Sequence, residues 1–170
     1  MKNITITIFV FILLFSGAYS QTAVMVDPKT TSIETAQKMI GINKLTEKTK
    51  SNLNNLKKID IQKDNLGQRV AYFESNSLKI IKVYLTDNGI EKNIEWYYSD
   101  EKLIYSEANW EDISTNKIVN TVKCYFDNNH LITWIDFGNK FLDPNTDTFR
   151  ERDSEMTIYG KKLYDEAIKK

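Results

Sequence analysis

The chain has 170 residues, with 23 basic and 23 acidic side chains, one histidine and one cysteine. So even a charge balance excludes the electrostatic footprint of a nucleic-acid binder. The lone Cys124 excludes an internal disulfide, so the fold has to rest on its core. The length suits a single domain.

Residues 1–20 carry one charge, Lys2, and an unbroken apolar run from Ile8 to Phe15, and they end on the small-residue stretch Ala18-Tyr19-Ser20. The run is too short to span a bilayer as a folded helix, and the pattern predicts a Sec-type signal peptide cleaved after Ser20. The mature chain then has 22 basic and 23 acidic residues and a charge near −1. It holds no second run of transmembrane length, which places it in the periplasm or secreted beyond, with no membrane span. Residues 21–30 read as an exposed leader, and residues 31–170 as one domain.

Thr31-Ser32-Ile33-Glu34 has the arrangement of a capping box and predicts a helix start, with Ile33, Ala36, Met39 and Ile40 on one face. Gly41 and Asn43 weaken the helix after them. A second helical segment is expected over 44–58, striped by Leu45, Thr49, Leu53 and Leu56. Between Val70 and Phe137 lie twelve of the sixteen mature aromatic residues and no proline, in repeated two-residue alternation. That pattern predicts a six-stranded antiparallel meander near 68–74, 78–86, 90–99, 102–111, 117–127 and 130–137. Asn88-Gly89 is its strongest turn signal. A last helix is expected over 148–168, opened by Thr148-Phe149-Arg150-Glu151 or capped by Asp143 or Asp147. The order of N-terminal helices, a run of strands and a C-terminal helix defines an α+β fold.

Three aromatic pairs are each followed by a leucine after four intervening residues: Tyr72-Phe73 by Leu78, Tyr97-Tyr98 by Leu103 and Tyr125-Phe126 by Leu131, at offsets of 25 and 28 residues. Each copy reads as strand, tight turn, strand. These hairpins resemble those of small exported bacterial proteins of unknown function, and they also look like variant MORN-type hairpins. Neither resemblance brings a catalytic residue with it.

With two-residue turns throughout, cross-strand partners share a face. Val70, Ile81, Val83, Leu85, Ile94, Trp96, Tyr98, Leu103 and Tyr105 then form one apolar surface, continued by Val122, Cys124, Phe126, Leu131 and Ile135. The opposite face carries Lys82, Tyr84, Glu95, Tyr97, Trp110, Tyr125, Trp134 and Asp136. Tyr84, Tyr97, Tyr125 and Trp134, with Lys82 and Glu95, are the candidate binding residues, because aromatic rings among charges suit a partner with both apolar and polar surface.

No catalytic constellation accompanies them. His130 stands alone at an expected hairpin turn and Cys124 on a core strand, too few donors for zinc. The Asp143 to Glu151 segment lacks the glycine and the bidentate glutamate of a calcium loop. The mature chain's five glycines are isolated and build no phosphate cradle, so no metal or cofactor is expected. The leading expectation is an exported, non-enzymatic module that binds a protein or an envelope glycan through one sheet face. The alternatives are a carboxylate-dependent glycan hydrolase using Glu95 and Asp136, or an inhibitory or structural protein that projects a turn.

Overall fold

The computed structural model describes residues 31–64 and 67–170, so the signal peptide and the leader expected over 1–30 lie outside the described residues. The elements run α1 (Ile33–Ser51), β1 (Lys57–Asp64), β2 (Gly67–Glu74), β3 (Ser77–Asp87), β4 (Ile90–Ser99), β5 (Lys102–Asp112), β6 (Lys117–Asp127), β7 (His130–Asp136), β8 (Lys140–Phe141) and α2 (Asp147–Ala167). All eight strands form one antiparallel sheet in sequence order. Met39 and Ile42 of α1 belong to the core on one face, and Phe149, Leu163 and Ala167 of α2 to the core on the other. The result is an α+β sandwich of helix, sheet and helix.

Two strands join the six expected, and one helix replaces two at the N-terminus. α1 runs straight through Gly41, because the cost of one helical glycine, about 1 kcal/mol, is smaller than the gain from seating Met39 and Ile42 on the sheet. The buried face is Met39, Ile42 and Thr46, while Ile33 and Ile40 are exposed. Ser32 caps the helix, its hydroxyl accepting from the Thr35 amide at 3.1 Å, one residue later than the expected box. Glu34 pairs instead with Lys38. The expected helix over 44–58 stops at Ser51; beyond it a 3-10 turn, Leu53–Asn55, leads into β1. Ile59 and Ile61 alternate with polar residues there and pack into the α2-side core. At the other end Thr146, not Thr148 or either aspartate, caps α2 by accepting from the Phe149 amide.

The aromatic-pair hairpins share one plan in three dimensions. In each, the first aromatic faces α1 (Tyr72, Tyr97, Tyr125) and the second faces α2 (Phe73, Tyr98, Phe126), paired with its leucine. One residue after the leucine the register shifts: Tyr72 pairs with Ile80, Tyr97 with Tyr105 and Tyr125 with Thr133. Lys79, Ile104 and Ile132 are therefore the extra residues of three equivalent β-bulges. The Asn88-Gly89 hairpin has no bulge, and its pairs Leu85 with Lys92, Val83 with Ile94 and Ile81 with Trp96 are those expected.

A bulge exchanges the faces of everything beyond it. Tyr105 and Ile135, expected in the apolar set beside Trp96, lie on the α1 side, as does Val70 through its pairing with Lys82. Trp134, expected beside Tyr125, pairs with Cys124 and lies in the α2-side core. Trp110, paired with Lys92, and Asp136, next but one to Trp134, also change sides.

The turns within these hairpins use left-handed backbone. Asp100 and Glu101 have φ of 50° and 64°, and Asn128 and Asn129 have 52° and 66°. Asparagine tolerates that region and glutamate does not. Glu101→Gly is accordingly expected to stabilise the protein by roughly 0.5–1 kcal/mol, read as a higher urea midpoint. A lower midpoint would show that the turn is not strained at Glu101.

Candidate functional site

One row of residues crosses the α1 side of the sheet from strand to strand: Val70, Lys82, Glu95, Glu107, Lys123 and Ile135 are successive cross-strand partners. Its apolar ends are buried and its middle is charged. Lys82 Nζ stands 2.7 Å from Glu95 Oε1, and Lys123 Nζ 3.8 Å from Glu107 Oε1. Lys50, from the last turn of α1, reaches down between the two glutamates, 3.1 Å from Glu107 and 3.9 Å from Glu95. The Tyr97 hydroxyl donates to Glu95 Oε2. Four strands thus contribute four charges, and Lys50 of α1, set between the two glutamates, completes an alternating series of five, with the glutamates only 14–19% exposed.

The helix covers only part of this face. Under α1 the rings of Tyr97, Tyr105 and Tyr125 stack in a tilted series, 5.7 Å and 4.9 Å between centroids, against Met39 and Ile42. Beyond the helix end a cleft of about 430 Å³ opens over the charged row, walled by Lys50, Leu53 and Ile80 and floored by Lys82, Glu95, Glu107 and Asn109. Past it the same face continues as Tyr84, Asn93, Asn109 and Thr121, successive cross-strand partners that are half-buried.

The candidate residues thus separate into three groups. Lys82, Glu95 and Tyr97 touch one another, and Tyr84 lies next along the same face. Tyr125 is buried under α1, as Tyr97 largely is, both rings serving as core. Trp134 is on the other side of the sheet, 6% exposed, with the Arg152 guanidinium 4.8 Å above its ring. Asp136 is also on that side, where its charge acts on Cys124, so Glu95 and Asp136 are not brought together. Burial pushes the Cys124 thiol up to about 12, which leaves it protonated and unreactive.

Lys50, Glu107 and Asn109 are the cleft residues that sequence reading missed. Glu107 becomes the partner of Glu95 only when the Ile104 bulge is counted; without it Ser106 would stand there. Lys50 arrives by tertiary packing and has no sequence signal.

Electrostatically Glu95 keeps its charge. Burial alone would raise the Glu95 carboxyl, but hydrogen bonds from Lys82 and Tyr97 and the charges of Lys82 and Lys50 outweigh it and hold the group below its ordinary 4.5. Burial and the Glu95 charge raise the Tyr97 hydroxyl, which stays a donor. A depressed carboxyl contributes stability that is fully present above its unfolded value and is lost as pH falls through the folded one. Glu95→Gln is therefore expected to be less stable than the parent at pH 7, with the gap closing as pH drops below about 4.5. Urea melts across that range test this, and a gap independent of pH would contradict it.

Among the described residues no group of three or more His, Cys, Asp or Glu is placed to hold a metal ion, and no helix is long and apolar enough to cross a membrane. The tips of the β4–β5 and β6–β7 hairpins are laced to each other, Lys102 Nζ donating to Asn128 Oδ1 at 2.8 Å and the Leu103 amide to Asn129 Oδ1 at 2.9 Å. Compared with family models, curated proteins and solved structures, the chain matches none.

Proposed function

We propose that the chain is an exported, non-enzymatic module, periplasmic or secreted, that binds a protein or an envelope glycan through the part of its α1-side sheet face that the helix leaves open. The observation that supports this is the cleft over Lys82, Glu95, Glu107 and Asn109, on the part of the face that α1 does not cover. A sheet face that existed only to receive α1 would carry apolar side chains out to the helix margin, whereas this one changes to paired charges and amides. Both glutamates are engaged by lysines, an arrangement that suits recognition better than proton transfer.

A photo-crosslinking residue placed at Tyr84 is expected to form an adduct with an envelope component. The same residue at Lys161, on the solvent side of α2 with its side chain 75% exposed, should form none. Equal labelling from both positions, or none from position 84, would overturn the proposal.

A further inference from the structure

The geometry points to an uncharged saccharide as the ligand of the cleft, an inference that rests on the binding-face reading and narrows it to one chemistry.

The charges inside the cleft are already matched. Of the charges that line it, the two ammonium groups of Lys50 and Lys82 balance the two carboxylates of Glu95 and Glu107, each within 4 Å of a partner of opposite sign. A charged ligand would have to break one of these pairs to find a counterion, at the cost of leaving a half-buried group unpaired. What the cleft and its margin offer instead are neutral polar groups of both senses. Asn109 Oδ1 accepts from Thr121 Oγ1 at 2.7 Å, which fixes that amide and leaves its Nδ2 as a donor. Its cross-strand partner Asn93 has a buried Oδ1 with no hydrogen-bond donor in the protein. Asn93 lies at the margin of the cleft, one strand from Asn109, and rotation about its soft amide torsion is the movement by which this buried acceptor would meet an incoming group.

A donor and an acceptor on neighbouring strands call for a ligand whose groups both give and take hydrogen bonds. A hydroxyl does so; a phosphate or carboxylate only accepts, and an ammonium only donates. Tyr84, half-buried beside Asn93, adds a ring face of the kind on which a pyranose can lie.

Titration calorimetry of the full chain with three tetrasaccharides tests the inference: neutral chitotetraose, its cationic fully deacetylated form, and anionic tetragalacturonate. The neutral sugar is expected to bind, with both charged ones at least tenfold weaker. Tyr84→Ala and Asn109→Leu should each weaken the neutral sugar at least fivefold. Tyr84→Phe should retain it, which separates stacking from misfolding. Equal or tighter binding of a charged tetramer, or neutral binding indifferent to Tyr84→Ala and Asn109→Leu, would overturn the inference. If no sugar binds while the crosslinker at position 84 captures a protein, the saccharide falls and the binding face stands. If neither occurs, both fall.

Discussion

Trp96→Ala is expected to cost about 3–5 kcal/mol, and His130→Ala less than about 0.5 kcal/mol. Trp96 sits in the middle of β4 on the α2 side, 3% exposed, its ring 5.4 Å from that of Tyr159 and tilted 58° to it. Its indole nitrogen has no partner in the protein, so truncation forfeits packing and no hydrogen bond. The cavity left would lie between sheet and helix, where neither layer can collapse without disturbing the other. His130 is 78% exposed at the mouth of a turn, 3.4 Å from Asp153. Paired urea melts at neutral pH measure both, and a Trp96→Ala loss as small as that expected of His130→Ala would show that the α2-side core does not depend on Trp96.

Gly160→Val, in the middle of α2, is expected to cost about 2–3 kcal/mol by overpacking. A Cβ at this position would stand 2.8 Å from Leu103 Cδ2 and 3.4 Å from the Trp96 ring. The Tyr98 hydroxyl also donates to the Gly160 carbonyl at 2.8 Å, which pins the helix backbone to the sheet and prevents it from backing away. Here a residue of poor helix propensity is used for close approach. Thermal melts test this, and a variant as stable as the parent would mean that Leu103 can turn aside at no cost.

Most of the strand plan was legible because its signals are local. Alternation and turn residues placed six strands, and Asn88-Gly89 fixed its register, because an unbulged two-residue turn obeys simple parity. The α1-side face was legible only as far as the first bulge. Ile104 and Ile132 look like ordinary strand residues, and nothing in their side chains announces that the backbone will admit one extra residue there. That single unit moved Trp134 and Asp136 across the sheet and brought Glu107 to Glu95. β1 was hidden for a different reason: its charge, Lys57, Lys58 and Asp60 beside two isoleucines, suits an edge that must not recruit another strand and dilutes the alternation. The length of α1 was set by the sheet beneath it, which sequence periodicity does not report.

The strictly sequential strand order has a consequence for how the chain reaches this state. Every strand hydrogen-bonds only to its neighbours in sequence, so the sheet can grow hairpin by hairpin, each step closing a short loop at small entropic cost. The distant contacts belong to the helices: Lys38 meets Asp127 across 89 residues, and Arg69 meets Glu166 across 97. Folding should therefore be fast for a protein dominated by β-structure, with the sheet's propagation preceding the docking of α1 and α2 and the late step governed by those two long-range closures.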